Sequence, residues 1–212
     1  AKIGIYHGNG ISSGHVRVYA LSSGSWTQLG SDIDGEAAND RSGISVSLNA
    51  AGNRVAIGAP YNDENGSNSG HVRVYAYSDT AWTQLGSDID GESSNDKSGW
   101  SVSLNSDGDR VAIGAYYNDG NGSNAGHTRV YAYSDTAWTQ LGSDIDGEDE
   151  GDQFGYSVSL NSAGDRVAIG ARYADAQNND GDTGHVRLYA YSDTAWTQLG
   201  SDIDGEDGGD HS

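Results

Sequence analysis

One motif returns along this chain at an almost constant interval, and that interval limits what the chain can become. GHVRVYA starts at Gly14, GHVRVYAY at Gly70, GHTRVYAY at Gly126 and GHVRLYAY at Gly184, each followed by the run Trp-Thr-Gln-Leu-Gly-Ser-Asp-Ile-Asp-Gly-Glu. Trp26, Trp82, Trp138 and Trp196 keep the register, at spacings of 56, 56 and 58 residues. Copies of one supersecondary unit in tandem bury their apolar surface against one another. The 212 residues are therefore read as a single array, 1–212, rather than as two domains.

The copy from Ser42 to Ser98 shows what the unit is. Residues 44–48 alternate apolar and polar with period two, as a strand does. Residues 54–59 form a second strand rich in small side chains, so another backbone packs closely on it. Residues 71–77 form a third, with Val72 and Val74 on one face and Arg73 and Tyr75 on the other, and 82–86 a fourth. Asn49–Asn53 and Ser78–Ala81 are turns, and 60–70 is a polar loop. No helical period is sustained. Four antiparallel strands per unit describe a propeller blade. The expected fold class is all-β: a β-propeller of four-stranded antiparallel blades, about four repeats of ~56 residues, with the ring incomplete in this chain.

The division expected is a partial blade lacking its inner strand at 1–41, blades at 42–97 and 98–153, and a blade plus the start of the next linker at 154–212. Ile3-Gly4-Ile5 aligns with Ile57-Gly58-Ala59, so the chain opens in a second strand. Further blades, from a longer chain or another subunit, are expected to complete the ring. The repeated Trp is the packing anchor, contributing about 1.5–3 kcal/mol per blade.

Composition narrows the partners. A net charge of −20 disfavours nucleic acid and anionic membranes, which need clustered Lys and Arg, and favours cations and basic partners. With no Cys, the fold uses neither a disulfide nor a thiolate metal site. No apolar run approaches the roughly 20 residues of a membrane helix, so no membrane insertion is expected. There is no signal peptide and no Met, even at position 1, so the expectation is a mature product or a fragment of something longer.

Phe154-Gly155-Tyr-Ser-Val158 followed by Val167-Ala-Ile-Gly-Ala171, together with Val55-Ala-Ile-Gly-Ala-Pro60, resembles the FG-GAP repeat of integrin alpha-subunit propellers. The Phe and the Pro each occur once. The resemblance implies a blade whose first strand is innermost, an extracellular or cell-surface location, and partner binding at the face that carries the long loops. The family's calcium loop, Asp-x-Asp-x-Asp-Gly, sits between first and second strands. Here that turn reads Asn49-Ala-Ala-Gly-Asn53, Asn105-Ser-Asp-Gly-Asp109 and Asn161-Ser-Ala-Gly-Asp165, which is too short, so those metal sites do not carry over.

Antiparallel order sends the second-to-third loop and the blade-to-blade connection to the same face. Of the 31 acids, all but Asp79, Asp107, Asp109, Asp135, Asp165 and Asp193 fall in those connections. The candidate metal ligands are Asp32, Asp34, Glu36 and Asp40, their copies Asp88, Asp90, Glu92 and Asp96, and Asp144, Asp146, Glu148 and Asp152. Their oxygens suit Ca2+, a hard cation. The competing reading, in which they shape turns and face solvent, is preferred, because the run is short and Ile33 sits in its middle. No cofactor is required. His15, His71, His127 and His185 lack a second His or Cys at ligand spacing and are expected to be structural, and Tyr75, Tyr77 and their copies to be packing. Asn65 and Asn121 begin glycosylation sequons on loops. The function expected is a non-catalytic extracellular structural or adhesive module that binds a protein or matrix partner through its acidic loop face. The alternative is a multivalent lectin with one glycan site per blade. An enzyme is disfavoured, because near-identical copies offer no single special site.

Overall fold

The computed structural model describes residues 9–174 and 183–206; the expected strand at 3–5 and the acids Asp175, Asp180, Asp182, Asp207 and Asp210 lie outside them. Regular structure among the described residues is strand throughout. In the second copy Ser45–Leu48 pairs with Arg54–Ala59, that strand with His71–Ser78, and that in turn with Ala81–Gln84, all antiparallel. The third copy repeats the order with Ser101–Leu104, Arg110–Ala115, His127–Ser134 and Ala137–Gln140. The fourth does so with Phe154–Leu160, Arg166–Ala171, His185–Ser192 and Ala195–Gln198. In the first copy the described residues pair Tyr19–Ser22 with Ser25–Gln28, and His15–Val16 with Ile33–Asp34. The all-β propeller architecture, with its ring incomplete, is what the sequence led one to expect.

The outer strand carries a feature that the repeat did not announce. After Ala81–Gln84 the chain breaks and then pairs again, as Ile89–Asp90, with the start of the third strand. Tyr75 faces Gln84 and Val72 faces Ile89, so residues 85–88 on one strand oppose only Arg73 and Val74 on the other. This is a bulge, turned by Gly86 at φ 70°. It explains the isoleucine inside the acidic run: Ile33, Ile89 and Ile145 are all buried in the core. The run is therefore an edge strand whose apolar residue points inward, flanked by two acids.

The core lies between blades rather than within them. Val72, Val74, Ala56 and Ile89 of the second copy pack on Leu104, Val111, Ile113 and Tyr131 of the third. Val130, Ala112 and Ile145 then pack on Phe154, Val167, Ile169 and Ala171 of the fourth. Each junction is fastened by the repeated Trp: Trp82 Nε1 donates to the Leu29 carbonyl at 2.8 Å, Trp138 to Leu85 at 2.7 Å, and Trp196 to Leu141 at 2.8 Å. Trp26 reaches no carbonyl of an earlier blade among the described residues and is 68% exposed. Leu21 of the first copy and Val46 and Leu48 of the second are exposed as well, and Leu199 and Ile203 are exposed in the last copy.

Candidate functional site

Two constellations stand out on the loop face, one repeated and one not. The repeated one sits at each blade junction. His71 opens the third strand and is buried, with Nδ1 3.3 Å from Asp88 Oδ2 and 3.8 Å from Glu36 Oε2. Arg73, two residues on and on the same face, donates from Nη2 to the Asp34 carbonyl at 2.8 Å and pairs through Nη1 with Glu36 Oε1 at 3.2 Å. The next junction copies this: Arg129 donates to the Asp90 carbonyl at 2.7 Å and pairs with Glu92 at 3.3 Å, and His127 lies 3.5 Å from Asp144. At the last junction Arg187 holds Glu148 at 2.7 Å and grips Asp202 with two hydrogen bonds. Each arginine thus joins the connection leaving one blade to the third strand of the next.

The expected acidic ligands separate into two kinds. Asp32 accepts from Arg17 and Gln28, and the Arg17 hydrogen bond first, then that of Gln28, holds its carboxyl down at about 2. Asp40 and Asp96 are buried; each accepts from a backbone N–H of its own turn and from an asparagine of the next loop, Asn62 and Asn118. Asp152 likewise accepts from the Asp149 N–H. Asp34 and Asp90 contribute backbone carbonyls to arginine. The four acids of one run do not converge. Glu36 meets Glu64, His71 and Asp88 of the following blade; Glu92 meets His127 and Asp144; and His185 meets Asp202 and Asp204. These groups, the first two drawn from adjacent blades and the third from the last blade alone, are the ones among the described residues that could hold a cation. Asn65 and Asn121 are exposed, and each amide donates to a carbonyl of the neighbouring connection, Gly91 and Gly147, at 2.7 Å.

Burial keeps the junction imidazoles neutral. It is the main cause pushing His71 and His185 down, and with the Arg129 charge it lowers His127 to about 4, against the opposing pull of Asp144. The groups facing His127 are Asp144, Glu92 and Arg129. An unfolded histidine takes up a proton below about 6.5 and this folded one does not, so its contribution is complete above that pH and is lost as pH falls towards 4. For His127 the full loss is about 3 kcal/mol. Urea unfolding of metal-free protein at pH 7 and pH 5 should show stability falling with acid, and His127→Gln should flatten that slope. A slope unchanged by the substitution would remove His127 as its source.

The second constellation was invisible as a repeat because, apart from one shared tyrosine, it consists of positions where the repeats disagree. Just before the inner strand the copies carry Arg41, Lys97 and Gln153, and at its entry Ile44, Trp100 and Tyr156. Just after the second strand they carry Pro60, Tyr116 and Arg172, followed by Tyr61, Tyr117 and Tyr173. The inner strands pack side by side, so these residues meet where the blades converge. Trp100 packs at a tilt on Tyr116, 4.7 Å ring centre to ring centre, and on Tyr156 at 5.8 Å. Lys97 Nζ lies 4.2 Å from the Tyr117 ring and 5.3 Å from that of Tyr61, which Arg41 covers from 4.3 Å. Arg172 covers Tyr156 at 5.0 Å and donates to its hydroxyl at 3.1 Å. Burial lowers the Lys97 ammonium and raises the Tyr116 phenol, so the cluster is partly shielded from water. Three of the chain's eleven basic residues gather here, against tyrosine rings.

Comparison with known proteins bears on both constellations. The family model described as the FG-GAP repeat matches residues 32–75, 88–133 and 144–189. The chain belongs to the FG-GAP repeat family. Its matched segments each run from an acidic edge strand, through the inner and second strands, to the third strand of the next blade, so one FG-GAP match straddles one junction. No curated protein matches the sequence. Among solved structures, a Bacteroides uniformis protein assigned as a 6-phosphogluconolactonase superposes with a TM-score of 0.58 at 10% identity, over 92% of this chain and 50% of its own. A second so assigned, from Bacteroides fragilis, gives 0.51 at 12% identity over 76% and 38%. A Lactobacillus plantarum protein gives 0.52 at 18% identity over 92% and 50%. The FG-GAP chain spans half or less of the length of these structures.

One expectation is corrected by these neighbours. The chain was read as not an enzyme because its copies are nearly identical, yet proteins that share its fold carry enzyme names. The physical error lies in treating identical blades as identical surface. Repeated residues build the junctions, whereas the divergent ones at 97, 100, 116, 156 and 172 make one special place per array. At 10–12% identity the likeness concerns the fold, and no reacting residue is transferred from it.

Proposed function

We propose that this FG-GAP array is an extracellular adhesive module that holds a protein or matrix partner on its loop face, with the axial cluster as the point of contact. The observation that carries this reading is the convergence of the non-repeated residues. Scaffold positions repeat because every junction needs the same groups; positions that differ from blade to blade are free of that need. Stacked aromatic rings beside half-shielded cations are the composition that dominates binding energy at protein interfaces. The cations Arg41, Lys97 and Arg172 on these rings suit a partner that brings carboxylates to the axis, while the net charge of −20 favours one that is basic elsewhere. The apolar side chains left exposed in the first and last copies, Leu21 and Trp26, Leu188 and Ile203, support completion by further blades, from a longer chain or a second subunit.

Solid-phase binding to a panel of extracellular matrix proteins tests this. At least one should be retained, and Lys97→Ala and Trp100→Ala should each weaken retention about tenfold or more while leaving thermal unfolding nearly unchanged. Retention unaffected by either change, or no retention at all, would sink the reading. A second reading is favoured by two matching grooves of about 260 and 250 Å3 at successive junctions, lined by Trp138, Tyr131, Asp88 and Asp90 and by Trp196, Tyr189, Asp144 and Asp146. An aromatic wall opposite carboxylates suits a sugar ring, so the repeat would act as a lectin with one site per junction. Glycan-array binding insensitive to the axial substitutions would select this second reading.

A further inference from the structure

We infer that the junction between the first and second blades is a binding site for one divalent transition-metal ion of the zinc class, held by His71, Asp88, Glu36 and Glu64. One donor atom from each of the four lies within 4.8 Å of all the others. Ligands around a tetrahedral zinc ion at about 2.0–2.2 Å stand about 3.4 Å apart, so a small inward movement of the two exposed glutamates closes the shell.

The second observation is the imidazole itself. The His71 side chain is 1% exposed, and its Nδ1 has no hydrogen-bond partner although it points at the carboxylates. A buried ring nitrogen without a partner costs free energy that a bound cation would remove. The carboxylates are also pre-set. Asp88 gives Oδ1 to the Gln84 amide at 2.6 Å, and Glu36 gives Oε1 to Arg73 at 3.2 Å. In each case the other oxygen is the one nearest His71. Outer partners that take one oxygen and aim the second are a recurrent feature of metal sites. Imidazole nitrogen is a poor ligand for calcium and a good one for zinc, which sets the class of ion.

The other junctions serve as internal controls. In the next blade Gly120 occupies the position of Glu64, leaving three donors: Glu92, His127 and Asp144. In the last, Arg187 occupies both oxygens of Asp202. One ion is therefore expected among the described junctions.

The test uses the full chain, stripped with chelator and titrated with Zn2+ against a chromophoric competitor. The expected result is a stoichiometry of one. Glu64→Gln should weaken zinc at least about tenfold. Glu64 is exposed, so the variant keeps its fold where a His71 variant could lose it. Gly120→Glu, which restores the fourth donor to the next junction, should raise the stoichiometry to two. Co2+ in place of zinc should give visible absorption that Asp88→Asn abolishes. No binding, zinc affinity unchanged in Glu64→Gln, or equal affinity for Ca2+ would each overturn the assignment.

Discussion

Trp138→Ala is expected to destabilise the array by about 3–5 kcal/mol, whereas Trp26→Ala, the same change at the same repeat position, should cost no more than about 0.5 kcal/mol. Trp138 lies against the Val72, Val111 and Ile113 cluster, packs at a tilt on Tyr133 at 5.1 Å, and donates its indole N–H to the Leu85 carbonyl across the junction. Removing it opens a cavity between two blades and strips a carbonyl of its partner. Trp26 has the sequence context of Trp138 but no junction, since no blade precedes it among the described residues and its ring faces solvent. Urea unfolding followed by far-ultraviolet circular dichroism compares the two. Equal losses would mean that Trp acts within its own blade, and the account of stability given by the junctions would be wrong.

Gly114→Ala is the second large effect, expected to exceed about 3 kcal/mol and to prevent folding of much of the protein. The glycine of the second strand accepts from the Gly99 N–H at the start of its own blade, at 3.1 Å. On its other side it abuts the Gly155 carbonyl of the next blade, where an added Cβ would collide with backbone. Gly155 in turn sits at φ 84° with the His127 carbonyl against it. The paired glycines of the FG-GAP motif are thus two surfaces of one close approach: each second-strand glycine touches the inner-strand glycine of the blade that follows. Gly170 provides the comparison. It holds the same place in the last described blade, and an added Cβ there would press on the Ser157 hydroxyl, which can turn away, with the nearest backbone atom 4.0 Å off. Gly170→Ala should therefore cost about 1 kcal/mol or less. Soluble yield and unfolding midpoints of the two variants decide it; similar behaviour would mean that contact between blades does not explain the motif.

Much of the blade could be read from the chain, because strand pattern is a local property. The alternation Val72-Arg73-Val74-Tyr75 divides the residues between two junctions in the structure: the valines join the cluster with the third blade, and Tyr75 joins Ile33 of the first. The acidic run was harder. Its two-residue strand depends on a bulge around Gly86, and a bulge is a relation between two strands, which neither strand states alone. The same limit explains the histidines. His71 has no second His or Cys nearby in sequence, and its companions Glu36 and Asp88 lie 35 residues before it and 17 after.

The sequence by itself determined the architecture. A ~56-residue period of strands cannot hide its apolar faces except against its own copies, so side-by-side blades follow from periodicity alone. Tertiary structure decided where chemistry is available. It assembled each junction from residues of two blades, and it brought the unlike residues Lys97, Trp100, Tyr116, Tyr156 and Arg172 together where the blades converge. The reason is geometric: a repeat announces what every copy shares, whereas a site is made by proximity, and proximity across blades is fixed only once the blades have packed.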